Sequence, residues 1–117
     1  MAYAAFRSIG AYIPSNIMTN ADFEKIIDTT DEWITKRTGI KERRISNKDE
    51  ASSDLGTKAA LQAIERANIK KEEIDLVICA TVTPDYLCMP STACLIASKL
   101  GLPNILSLCR IFFLPLL

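Results

Sequence analysis

Residues 76–82, Leu-Val-Ile-Cys-Ala-Thr-Val, form an unbroken apolar run of strand length. Such a run suits a central strand buried on both faces, as in a parallel sheet with helices on either side. Helical patterns stand before and after it. Upstream, Leu55, Ala59, Ala60, Ala63, Ile64 and Ala67 repeat at helical spacing in a helix that starts at Ser52 or Ser53 and ends at Asn68. Its stripe is mostly alanine, which permits close packing against a sheet or another helix. Residues 70–73 make a charged turn. Downstream, residues 83–90 read as a loop. Pro90 fits the first position of a helix whose face is Ala93, Ile96, Ala97 and Leu100, closed by Gly101. The alternation of strand and helix predicts an α/β fold.

The N-terminal third is more varied. Residues 3–13 are β-like, with Tyr, Phe and Ile among small residues. Thr19 caps a short helix that carries Phe23, Ile26 and Ile27 on one face. A second short helix runs over about 30–38. Thr29 with Glu32 reads as its capping box, and Gly39 supplies the left-handed turn that ends it. Residues 40–45 form a weak strand or extended loop, and residues 46–50 are polar and exposed.

The second helix holds the one tryptophan of the chain. Trp33 and Arg37 are four residues apart and share a face. An indole beside a guanidinium is a platform for a flat anionic ligand: the ring stacks on a base and the cation pairs with phosphate. Lys36, Arg37, Lys41, Arg43 and Arg44 against Glu42 give residues 36–44 a local charge of +4. The alternative is a Trp half-buried in a core beside basic residues on a solvated loop.

Composition narrows the function classes. Lysines and arginines number 14, as do aspartates and glutamates, so formal charge is zero, which argues against a general nucleic-acid-binding or membrane-surface protein. The four cysteines, at 79, 88, 94 and 109, form no Cys-x-x-Cys pair, and histidine is absent. That argues against zinc or any other metal, and against a Cys–His or Ser–His pair within this chain. The cysteines sit among apolar residues, as reduced, buried thiols of a cytoplasmic protein would. Arg7 interrupts any apolar run of signal-peptide length, and no stretch nears the roughly 18 apolar residues of a membrane span.

Asp28-Thr29-Thr30-Asp31-Glu32-Trp33-Ile34, continued by Arg37-Thr38-Gly39-Ile40 and Glu42-Arg43, resembles the β-ketoacyl-acyl-carrier-protein synthase III family. Gly10-Ala11-Tyr12-Ile13-Pro14, Thr19-Asn20-Ala21-Asp22, Ala80-Thr81 and Pro90-Ser91-Thr92-Ala93-Cys94 carry the likeness through residues 3–105. The resemblance implies part of a thiolase-like layered α/β fold, incomplete here, from an enzyme that works as a homodimer. That enzyme condenses an acyl-coenzyme A with malonyl-acyl-carrier protein, with loss of carbon dioxide and no cofactor beyond the thioester. It also implies that Thr29, Trp33 and Arg37 contact coenzyme A, and that Met89 reaches across the dimer to line the acyl pocket. Ordinary core packing is the alternative for Met89.

The resemblance then stops. Residues 1–105 read as the first part of the synthase's N-terminal domain, and residues 106–117 as an aberrant apolar tail with one charge, Arg110. The family's nucleophilic cysteine, at a helix N-terminus after a small-residue strand, would fall near Leu114. Cys109 lies several residues early, with Arg-Ile-Phe-Phe after it, and no catalytic residue is assigned. A frameshift explains the tail. Asp-Ile-Ser-Ala-Ala-Cys written GAT ATT TCT GCC GCT TGT and read without its first base gives Ile-Phe-Leu-Pro-Leu. That string, with one extra Phe, is residues 111–116. Three readings are open: an acyltransferase by descent, inactive alone; a non-catalytic coenzyme A-binding module; or a fragment that docks an acidic carrier protein through residues 36–44.

Overall fold

The computed structural model describes residues 3–102 and 105–111. They divide into two compact units. One is Ile13–Asp49; the other joins the described residues up to Tyr12 to those from Glu50 onward.

In the smaller unit, β1 (Asn16–Thr19) pairs antiparallel with β2 (Glu42–Ile45), Asn16 facing Ile45 and Thr19 facing Glu42. Two helices lie between the strands. Thr19 caps α1 (Asn20–Glu24) in a reciprocal box with Asp22, satisfying two orphan N–H groups. The helix ends before Ile26 and Ile27, which stand exposed instead of continuing the Phe23 face. α2 (Asp31–Thr38) has acids in its first turn and Lys36 and Arg37 in its last, matching the helix dipole. Gly39 ends it at φ 71°. The cap is Thr30, whose hydroxyl accepts from the Trp33 N–H at 3.2 Å, and not Thr29. Glu24 decides this: its carboxylate takes the Asp31 N–H at 2.6 Å and so fixes Asp31 as the first helical residue. Only Pro14 and Asn20 are buried in this unit, so polar contacts carry much of its order.

The larger unit is a β-α-β layer with a helix packed on it. β3 (Leu76–Thr81) and β4 (Leu106–Ile111) run parallel, in register from Leu76–Leu106 to Thr81–Ile111, with α4 (Thr92–Leu100) between them in sequence. α3 (Ser52–Ala67) packs on α4, and α4 on both strands. The core is Ile96, Ala97, Leu100 and Leu102, flanked by Ala60, Ile64, Ile74, Val77, Cys79 and Ile105. Each large aliphatic chain buried there contributes about 1.5–3 kcal/mol. The expected helix stops hold: Asn68 closes α3 at φ 50° and Gly101 closes α4 at φ 68°. A Cβ on Gly56 would lie 2.7 Å from Ile96 Cδ1, so the missing side chain lets α3 approach α4.

Three further expectations change. β3 is not buried on both faces: its residues alternate between exposed and half-buried. α4 covers the Val77 and Cys79 face, while α3 packs on α4 rather than on the sheet. Pro90 does not start α4; Ser91 caps it, its hydroxyl accepting from the Cys94 N–H at 3.2 Å. Residues 3–13 form no strand, because no described strand offers them a ladder. They are held instead on α3: the Ser8 hydroxyl donates to Ala63 O at 2.6 Å, the Ala11 N–H to Gln62 Oε1 at 2.9 Å, and Arg66 to Ile9 O at 2.9 Å. Of the residues read as an aberrant tail, 106–111 run as β4, and residues 112–117, with the slot near Leu114, lie outside the described residues.

Candidate functional site

α2 presents Trp33 outward, 53% exposed. The Arg37 guanidinium carbon lies 4.5 Å from the centre of its ring, a cation–π contact. Beside it, Ile27, Asp28, Thr29, Thr30 and Trp33 line an open cleft of about 360 Å³, within the size range of small-molecule sites. Thr29 is free of capping duty and belongs to this cleft. The alternative, a Trp half-buried in a core, is not what forms.

The basic run divides in two. Arg43 turns inward, donating to Asn20 Oδ1 at 2.6 Å and stacking on Phe23 at 4.4 Å. Its Nη1 is buried with no hydrogen-bond partner among the described residues, a placement that costs about 1–3 kcal/mol. Arg44 reaches the carbonyls of Pro14 and Ser15 at 3.3 and 3.5 Å. Lys36, Arg37 and Lys41 remain exposed.

Sequence reasoning gave Asn20 no role, yet it is the hub of this unit, 2% exposed. Its amide donates to Asp31 Oδ1 at 2.6 Å and Ile40 O at 2.9 Å, and lies 3.4 Å from Thr35 Oγ1. The available signal was weak: an Asn just inside a helix start, where backbone-competing side chains are poor helix formers.

Met89 lies in the other unit, 79% exposed, at the end of the 83–90 loop beside Leu87 at 93%. Core packing, the alternative for this residue, is therefore not what the chain does. Both ends of the loop are tied down. Asp85 accepts from the Ser53 N–H at 2.9 Å and the Ser53 hydroxyl at 2.6 Å, capping α3 from outside. The Asp85 N–H donates to Thr92 Oγ1 at 3.2 Å, and the Ser52 hydroxyl to Thr83 O at 2.6 Å. Lys99 Nζ donates to Ser53 Oγ and Asp54 Oδ1, both at 2.6 Å. A Ser–Lys contact can activate a nucleophile, but Ser53 is 0% exposed and spends its proton on Asp85. The cluster is a structural tie.

Two of the three thiols whose side chains are described differ from expectation; that of Cys109 lies outside the description. Cys79 is half-buried, but Cys88 and Cys94 are exposed, one on the projecting loop and the other turned away from the α4 core face. Among the described residues, no three His, Cys, Asp or Glu side chains gather to hold a metal, and no helix is long and apolar enough to cross a membrane.

No family model matches the chain. Solved structures do. A 3-oxoacyl-[acyl-carrier-protein] synthase III from Aquifex aeolicus matches with a TM-score of 0.80 and 47% identity, over 90% of this chain and 33% of that one. The synthase III from Thermus thermophilus matches at 0.74 and 44%, over 92% and 32%. The fold is thus one part of the thiolase-like α/β class to which those enzymes belong. In sequence, the β-ketoacyl-[acyl-carrier-protein] synthase III of Aliarcobacter butzleri is 80% identical over 107 residues, 92% of this chain and 32% of the relative. That of Sulfurovum sp. is 70% identical over 103 residues, 88% and 30%. By fold and by sequence, the chain is related to the β-ketoacyl-[acyl-carrier-protein] synthase III family, and it spans about a third of the length of the curated relatives it matches.

Proposed function

We propose that this chain carries the coenzyme A-recognition segment of a β-ketoacyl-acyl-carrier-protein synthase III. The observation behind this reading is the Arg37–Trp33 stack beside the Thr29 cleft. The indole stacks on adenine, the guanidinium meets phosphate, and the Thr29 hydroxyl assists. In the whole enzyme, the bound acyl thioester is condensed with malonyl-acyl-carrier protein in the first step of fatty-acid synthesis, in the cytoplasm and within a homodimer. Met89, projecting and flexible, would line the acyl pocket of the partner.

We expect little or no turnover from this chain. The slot where the family's nucleophile falls, near Leu114, holds no cysteine, and we read residues 106–117 as out-of-frame translation. Sequencing the gene from codon 100 onward tests this; a downstream reading frame without family sequence would sink it. A carrier-protein dock through residues 36–44 is the weaker reading, since Arg43 and Arg44 are bound up in the unit itself.

The binding reading is tested by titrating the chain with coenzyme A while following Trp33 emission. Saturable quenching supports it; an unchanged spectrum up to millimolar ligand overturns it.

A further inference from the structure

No residue of α2 is fully buried, and Ile34 is its one half-buried apolar side chain, so apolar packing does little to set its orientation. It is held through one polar face. Asp31 and Thr35 are a turn apart on that face and both meet Asn20, at 2.6 and 3.4 Å. Asp31 Oδ1 also accepts from Thr35 Oγ1 at 3.3 Å, closing the triangle. At about 100° per residue, Trp33 lies about 200° round the helix from Asp31, and Arg37 the same from Thr35. The face clamped on Asn20 is therefore opposite the face that offers the indole and guanidinium.

The same asparagine also fixes the chain beyond the helix. Its amide holds Ile40 O at 2.9 Å, its N–H donates to Lys41 O at 3.2 Å, and its Oδ1 receives Arg43 at 2.6 Å. One buried side chain thus joins the start of α1, the inner face of α2, the turn after Gly39 and β2. We infer that Asn20 is the positioning residue of the Trp33–Arg37 platform: it touches no ligand, and binding depends on it through α2. This rests on the proposed coenzyme A site and adds to it the residue that sets the platform's aim. Recognition sites need their groups held within about 0.5 Å, and besides Asn20 α2 has only the Glu24 bond to its first N–H and the half-buried Ile34 to hold it so among the described contacts.

The test uses the whole chain, with the single Trp33 as reporter, in three variants: Asn20→Ala, Asn20→Asp, and Asn20→Asp combined with Asp31→Asn. Asn20→Asp sets two carboxylates face to face and repels α2. The exchanged pair restores a donor opposite an acceptor, at the cost of the bond to Ile40 O, the amide contact to Thr35 and the first-turn charge of Asp31. Time-resolved anisotropy of Trp33 and coenzyme A titration are read together, with circular dichroism reporting the folded state. Both single variants should loosen Trp33 and weaken coenzyme A binding about tenfold or more, and the exchange should recover a clear part of each. Single variants that hold Trp33 and bind like the parent would overturn the inference. So would an exchanged pair that folds but recovers nothing. If Asn20→Ala fails to fold, Asn20→Asp against the exchanged pair still decides. If the parent chain ignores coenzyme A, the ligand reading falls, and Trp33 anisotropy alone decides whether Asn20 positions the platform.

Discussion

Arg37 lays its guanidinium 4.5 Å from the ring centre of Trp33, one turn back along α2. The pair is exposed, so its contribution to stability is small, about 0.5–1 kcal/mol. Its contribution to binding an anion is larger, because the cation would form charge-assisted bonds to phosphate. Arg37→Gln should therefore weaken coenzyme A binding about tenfold while leaving the thermal midpoint within a few degrees of the parent. Trp33 emission should also change in the unliganded variant. Paired titration and melting measurements check this; equal affinity would remove Arg37 from the site.

Two glycines end helices with positive φ, Gly39 at 71° and Gly101 at 68°, and a Cβ at either would meet nothing within 4 Å. Any effect of substitution there is backbone strain alone, of about 1–2 kcal/mol for alanine. Gly39→Ala and Gly101→Ala should each lower stability by that amount in urea unfolding, and asparagine should cost less than alanine at both positions. Gly10→Ala should behave differently. Its Cβ would fall 2.1 Å from Ala59 O, so the N-terminal segment must leave α3, which amide exchange in residues 3–12 would reveal.

The N-terminus of α3 should be sensitive to acid. The Asp54 carboxyl is held below its ordinary value of 3.8, first by the hydrogen bond from Lys99 and then by the Ala51 N–H. Asp22 is likewise lowered, chiefly by the Thr19 hydroxyl and then by Lys25. A carboxyl depressed on folding adds stability above its unfolded pKa and loses it as pH falls through the folded value. Stability should thus hold at neutral pH and decline once pH drops below about 4. Asp54→Asn should be less stable than the parent at pH 7, and the gap should narrow at pH 3. A constant gap across that range would refute the assignment.

The outer face of the β3–β4 sheet carries Leu76, Ile78, Leu106 and Leu108, which are 43, 67, 64 and 50% exposed. Val77 and Cys79 face the core. Contiguous exposed apolar surface binds hydrophobic dyes and drives association. The chain should bind such a dye while folded. Ile78→Lys should reduce that binding with little change in stability, whereas Val77→Ala should destabilise by about 1 kcal/mol and leave dye binding intact.

The larger unit was the more legible in sequence. The α3 and α4 stripes, the apolar run of β3 and the stops at Asn68 and Gly101 all derive from spacing and turn chemistry. The candidate site was legible in its outward half only. Trp33 and Arg37 advertise themselves through their spacing, whereas Asn20 looks like any polar residue near a helix start until its partners are brought round it.

The sequence alone determined the features that depend on near neighbours: the helical faces, the left-handed stops, and the stacking of Arg37 on Trp33 four residues away. Tertiary structure decided everything that needed a distant partner. Glu24 chose Thr30 over Thr29 as the cap of α2. Asn20, 23 residues away, turned Arg43 inward. The N-terminal segment, β-like in composition, found no ladder and took hydrogen bonds from α3 across separations of 51 to 57 residues. A backbone donor or acceptor must be satisfied, but its own residue type does not say by what; that choice is made only when the chain has folded.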